Sequence, residues 1–107
     1  GWQTAAELAG LPDGAPVATC GIVVTRQRPG SASGVVFVTL EDETGYVNLV
    51  VWSRIADAHR RAMLDARLLG VRGRLQREGE VRHVVVDALE DRSILLGSLA
   101  AKARSFR

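Results

Sequence analysis

Between residues 17 and 89 the chain passes through five apolar, β-branched runs, and its hydrophobic period turns helical only once, between the third run and the fourth. That order restricts the fold more than any other feature, because a period of two and a period of 3.6 bury different faces. The runs at 17–26, 34–41, 46–52, 66–75 and 81–89 read as strands. Residues 27–33 contain Arg28-Pro29-Gly30-Ser31 and cannot continue a strand. Asp42-Glu43-Thr44-Gly45 reads as a tight turn, with Gly45 suited to positive φ, so strands two and three form a hairpin. Ser53 is placed to cap a helix in which Ile55, His59, Ala62 and Met63 recur at helical spacing. A short turn around Gly79 joins the last two strands.

Three strands, a helix and a two-strand hairpin is the order of the OB fold, a mainly β, five-stranded Greek-key barrel. A generic α+β sheet with one helix has the same order, and only closure of the sheet separates the two. The domain is expected at 17–92. A lead-in at 1–16 precedes it, where Trp2, Leu8 and Leu11 recur at helical spacing before Pro12-Asp13-Gly14. A tail at 93–107 follows, read as a C-terminal helix to about 104 with Gly97 interrupting it. One domain of 107 residues buries roughly 65% of its unfolded surface, enough for a single modest core.

Alternation assigns the faces. Val36, Val38 and Leu40 point inward from the second strand, and Val47, Leu49 and Val51 from the third. Phe37, Thr39, Tyr46 and Asn48 then face outward on neighbouring strands, which sets aromatic rings beside hydrogen-bonding groups. Such a surface suits unpaired bases, since every base offers a π-face worth about 1–3 kcal/mol on an aromatic ring. Covering of Phe37 by the helix or the lead-in is the competing reading, and Trp52 is assigned to packing. With Glu78-Gly79 at the centre of the second hairpin, Leu75 faces Arg82, Arg74 faces His83 and Gly73 faces Val84. One face then holds Leu69, Val71, Gly73, Leu75, Val84 and Val86, and the other groups Arg72, Arg74 and His83. That cationic face is either a phosphate contact or a solvated surface neutralised by Glu78, Glu80 and Asp87.

Charge alone decides nothing, because the net charge is only +2. Of the 14 basic residues all but Lys102 are arginine, the better fork for phosphate and the better stacking partner for bases. A single cysteine, Cys20, can close no intramolecular disulfide. No apolar run approaches the ~18–20 residues that span a bilayer, and no charged-then-apolar leader opens the chain. A cytoplasmic chain without membrane contact is expected. The carboxylates Glu41, Asp42 and Glu43 have no nearby histidine, and His59 and His83 have no partner at ligand spacing. Phosphate-loop, nucleophile-elbow and Cys-x-x-Cys motifs are missing, so no cofactor, no metal and no catalysis by this chain alone are expected.

The segment from Arg26-Gln27-Arg28-Pro29-Gly30 through Phe37-Val38-Thr39-Leu40-Glu41-Asp42-Glu43-Thr44-Gly45 resembles the OB domain of the error-prone DNA polymerase III alpha family. Residues 71–81 and the Leu89-Glu90-Asp91 exit resemble the same family, over about 17–96 in all. The shorter pattern Phe-x-x-Leu-x-Asp-x-x-Gly is also similar to the anticodon-binding OB domains of class II aminoacyl-tRNA synthetases. There the residue matching Phe37 stacks on a base and the one matching Asn48 reads a base edge.

The resemblance implies a piece of a larger bacterial translesion polymerase whose catalytic carboxylates lie elsewhere. The expectation is a domain that holds single-stranded template DNA, with the rest of the polymerase chain and other mutasome proteins as partners. Phe37 and Tyr46 would stack, and Thr39 and Asn48 would hydrogen-bond. Arg26, Arg28, Arg72, Arg74 and Arg77, with His83 beside them, would meet phosphate. A module that docks a protein partner and an anticodon-type RNA binder are the alternatives.

Overall fold

The computed structural model describes residues 2–28 and 34–96. Helix α1 (Ala5–Ala9) leads into strands β1 (Pro16–Gln27), β2 (Val35–Asp42) and β3 (Gly45–Trp52). Helices α2 (Ser53–Ala58) and α3 (Arg60–Asp65) follow, then β4 (Leu68–Glu78) and β5 (Val81–Asp91). The strands close into a barrel in the order β1-β2-β3-β5-β4, with β3 and β5 parallel and the other pairs antiparallel. Closure removes the exposed sheet edges that an open α+β sheet would present. The expected five-strand OB barrel is therefore the observed one.

The face assignment of β2 and β3 holds. Leu40 is 1% exposed and Phe37 44%, and Val36, Val38, Val47, Leu49 and Val51 are all buried. Trp52, expected to pack, is instead 48% exposed, because it continues the outward parity of Tyr46 and Asn48 to the end of β3. The helix is broken in two at His59, whose φ of −117° and ψ of 41° leave the helical region. Trp52 rather than Ser53 takes the N-cap position of α2, and it makes no side-chain cap bond. Residues 93–96 are helical; the remainder of the expected C-terminal helix and residues 29–33 of the first loop lie outside the described residues.

The second hairpin needs a correction. Gly79 and Glu80 form its turn, so Leu75 faces Val84, Gln76 faces His83, Arg74 faces Val85 and Arg77 faces Arg82. Gly79 has φ +61°, the backbone that a two-residue turn asks of its first residue when only that residue is glycine. Moving the turn by one residue shifts each partner by two, which preserves parity, so the inner apolar set is unchanged. Farther along, Asp87 is skipped between the pairs Arg72↔Ala88 and Gly73↔Val86. At this bulge the carbonyl oxygen of Val85 occupies the place where a Cβ on Gly73 would stand.

The lead-in is folded onto the barrel. Thr4 and Glu7 form a reciprocal capping box on α1, and Leu8 enters the core at 4% exposure. Gln3 pairs through its backbone and its side chain with Ala18, and its carbonyl accepts the hydroxyl of Thr19, a fully buried residue. Asp42 joins α1 to the β2–β3 turn: its carboxylate accepts N–H groups from Ala5 at 2.7 Å, Thr44 at 2.7 Å and Gly45 at 3.1 Å, and the Thr44 hydroxyl at 2.7 Å. Burial opposes ionisation of Asp42, but the Thr44 hydroxyl and the three backbone donors outweigh it and lower its pKa.

A pKa lowered by folding contributes stability above the unfolded value, near 3.8, and that contribution is lost as pH falls through the folded value. Asp42→Ala is expected to cost about 1–2 kcal/mol at neutral pH, by analogy with loss of a cap. Urea melts of Asp42→Asn from pH 5 to pH 2 should show a shallower loss of stability than wild type below pH 4. Parallel curves for the two proteins would remove Asp42 as the acid-sensitive joint.

Candidate nucleic-acid interface

Cross-strand pairing assembles the outer face in rows. Thr39 pairs with Asn48, and Gln76 pairs with His83. Leu49 and Val50 of β3 pair with Val84 and Val85 of β5, which sets Asn48 beside His83 by extension. A polar row Thr39–Asn48–His83–Gln76 therefore crosses four strands. The Thr39 hydroxyl lies 3.3 Å from Asn48 Oδ1, and His83 Nε2 lies 2.8 Å from Gln76 Oε1. On one side runs the row Phe37–Val50–Val85–Arg74, apolar with a cation at its end. On the other, Tyr46 and its partner Glu41 face Val81 and Glu78, an acidic flank. Hydrogen bonding and charge from the Glu41 carboxylate raise the pKa of the Tyr46 hydroxyl.

Two open clefts lie along these rows. One, of about 270 Å³, is lined by Phe37, Thr39, Asn48, Val50 and His83, with Gln27, Val81 and Arg82 at its sides. The other, of about 320 Å³, lies beyond Asn48 and His83 toward Tyr46 and α1. Phe37, Thr39, Tyr46, Asn48 and His83 are thus brought to one surface, as their strand parity requires.

The arginines are largely spent elsewhere. Arg26 Nε donates to the Met63 carbonyl at 2.6 Å and an Nη donates to that of Ala66, so Arg26 caps the end of α3 and is not turned to the groove. Arg77 donates to the carbonyls of Leu11 at 2.8 Å and Ala9 at 3.3 Å, which ties the lead-in to β4. Arg72 lies over the Trp2 ring at 5.5 Å, and Arg92 lies over it at 5.0 Å. Arg26, Arg72 and Arg77, expected at phosphate, thus each have a partner within the chain, because carbonyls and a ring of the lead-in and of α3 stand within their reach. Arg74 keeps an exposed guanidinium with one long contact, 3.4 Å to the Gly14 carbonyl, and Arg28 is exposed at the end of β1. Among the described residues the one ion pair is Arg92–Glu90, so Glu78, Glu80 and Asp87 make no contact pair with these arginines.

Arg82 is the residue that sequence reasoning missed. It lines both clefts, whereas the hairpin register read from sequence placed it opposite Leu75 at the rim of the apolar face. Its true partner, Arg77, is engaged with the lead-in, which leaves Arg82 as the cation beside Asn48 and His83. Among the described residues no group of three or more His, Cys, Asp or Glu comes together as a metal site, and no helix is long and apolar enough to cross a membrane.

A sequence model described as OB-fold nucleic acid binding domain matches residues 17–92. This chain belongs to that family. The error-prone DNA polymerase of Azoarcus sp. (strain BH72) is 58% identical over 95% of the chain, and that of Alkalilimnicola ehrlichii 55% over 96%. The chain spans only about a tenth of the length of each, 10% in both cases. The polymerase resemblance read from the Arg-Gln-Arg-Pro-Gly loop and the Leu-Glu-Asp-Glu-Thr-Gly turn is thus borne out. Among solved structures, asparaginyl-tRNA synthetase from Pyrococcus horikoshii superposes with a TM-score of 0.71 at 24% identity, over 86% of this chain and 22% of that one. The S. pombe Stn1-ten1 complex superposes at 0.64 and 13% identity, over 83% of this chain and 66% of that one. Both likenesses concern the fold.

The OB family pattern Phe37-x-x-Leu40-x-Asp42-x-x-Gly45 has a structural basis. Its aromatic stands in the cleft, its leucine fills the core, and its aspartate fastens the turn to α1. Its glycine holds φ +151° with Ala5 close by.

Proposed function

We propose that this chain is the OB domain of an error-prone DNA polymerase and that its groove holds single-stranded template DNA during translesion synthesis in the cytoplasm after DNA damage. The observation that carries the reading is an exposed Phe37 in an open cleft beside Asn48, His83 and Arg82, on a barrel more than half identical to a segment of such polymerases. Phe37 stacks on a base, Thr39 and Asn48 meet its edge, and Arg28, Arg74 and Arg82 meet phosphate. Residues 17–92 form the binding domain, and polymerisation belongs to the remainder of the polymerase chain.

A second reading, a surface that docks a mutasome protein, draws support from the internal use of Arg26, Arg72 and Arg77, which leaves few cations for a strand. A fluorescence titration with a labelled 20-mer across a salt series separates them. DNA binding predicts a linear fall of log affinity with log salt, and Arg82→Ala should flatten it by about 0.7 for one lost phosphate contact. Arg28→Ala and Arg74→Ala should act alike, while Arg77→Ala should lower stability and leave the slope alone. No measurable binding at low salt by folded protein would exclude the DNA reading for this face.

A further inference from the structure

The polar row is held from both ends. The Thr39 hydroxyl donates to Asn48 Oδ1 at 3.3 Å, and His83 Nε2 lies 2.8 Å from Gln76 Oε1. An amide oxygen only accepts, so His83 carries a proton on Nε2, and the neutral ring then has Nδ1 as a bare acceptor. With its oxygen turned to Thr39, the Asn48 amide offers a ligand its N–H. The middle of the row is thus a fixed donor beside a fixed acceptor, and both residues line the cleft that contains Phe37. We propose that Gln76 is a positioning residue, holding His83 in this tautomer so that the Asn48–His83 pair selects thymine over cytosine. The inference rests on the single-strand reading and adds which base edge the groove accepts.

Gln76 itself lines neither cleft, so its influence on a base passes through the His83 ring. The row lies two residues from Phe37 along β2, roughly 7 Å at strand rise, which brings the edge of a base stacked on Phe37 over Asn48 and His83. Thymine presents one N–H, at N3, between two carbonyl oxygens. Whichever way the base lies, N3–H meets His83 Nδ1 and a carbonyl meets the Asn48 N–H. Cytosine in the same place sets its N3, an acceptor, against Nδ1. To offer its amino group instead, it must slide along the row and off the ring. The two pyrimidines are alike in size, so the comparison isolates the edge.

Acidification supplies the signature. Histidine changes charge between about pH 5 and pH 8, and a proton on Nδ1 turns the acceptor into a donor facing thymine N3–H. The charged groups around the ring are Arg74 and Glu78 of β4, Glu80 of the turn and Arg82 of β5. The other histidine, His59, lines neither cleft.

The test titrates labelled dT8 and dC8 with the 107-residue chain from pH 8 to pH 5.5, beside Gln76→Leu and Gln76→Glu. At pH 8 wild type should favour dT8 by about 5- to 150-fold, the range for one matched base edge, and the ratio should shrink as pH falls. Gln76→Leu should bring the ratio toward one at every pH. Gln76→Glu keeps an acceptor for Nε2–H and adds a negative charge beside the ring, so its ratio should collapse at a higher pH than that of wild type. Two-bond proton–nitrogen spectra of the free chain at pH 8 should show His83 protonated at Nε2 and bare at Nδ1. A ring protonated at Nδ1 overturns the inference. So does a ratio near one in wild type, or a ratio that neither pH nor Gln76→Leu changes, and these leave the single-strand reading standing. Failure of folded wild type to bind either octamer or the 20-mer removes both.

Discussion

Leu40→Ala is expected to destabilise the domain by about 2–5 kcal/mol, the range for truncating a buried leucine in a core that relaxes only in part. Leu40 is 1% exposed, lies on β2 opposite Val47, and belongs to a single cluster with Val38, Leu49, Val71 and Val84. The neighbours in that cluster are hydrophobic, so the loss combines hydrophobic transfer and missing contacts. A domain of this size has a total stability of about 5–15 kcal/mol, so the variant should lie close to the limit of folding. Chemical denaturation is the measurement, with Phe37→Ala as its control. That control, at an exposed position, should stay within about 0.5 kcal/mol of wild type. Equal losses at the two positions would mean that the strand faces are reversed.

The same pair exchanges roles in binding. Phe37→Ala should weaken single-stranded DNA by about 5- to 150-fold, the equivalent of about 1–3 kcal/mol of base stacking. The salt slope should stay as it is, because no counterion is released or retained when a ring is removed. Arg82→Ala should do the opposite, with a modest loss at low salt and a flatter slope. Stacking and phosphate contacts are separable in this way because one depends on π-surface and the other on charge. Indifference of affinity to Phe37→Ala in folded, binding-competent protein would place the strand on another face of the barrel.

Strand parity is the part of this site that sequence alone exposes. In β2 the alternate residues Val36, Val38 and Leu40 are apolar, and in β3 Val47, Leu49 and Val51, so the barrel interior and the outward set Phe37, Thr39, Tyr46 and Asn48 follow from a period of two. The position of the turn in the second hairpin did not follow, because Glu78-Gly79 and Gly79-Glu80 both set a glycine in a two-residue turn and give the same inner face. Choosing between them decides whether Arg82 faces Leu75 or Arg77, and only the pairing of β5 with both β3 and β4 makes that choice.

The lead-in shows a signal that was present and passed over. Thr4-x-x-Glu7 is a capping box, and in the structure it starts the helix that brings Leu8 into the core. What no local pattern carried was the fate of the arginines. An arginine seeks whichever acceptor stands within reach, and for Arg26 that is the open end of α3, 37 residues away in sequence at Met63 and 40 at Ala66. For Arg77 it is the lead-in, 66 residues away at Leu11, and for Arg72 it is the ring of Trp2. The sequence by itself determined which residues lie inside the barrel and which aromatics lie outside, because alternation is a local property of the strand. Which cations remain for a ligand, and that a second cleft exists beside Tyr46, were decided by tertiary structure alone, since both depend on chain segments brought together only when the barrel closes.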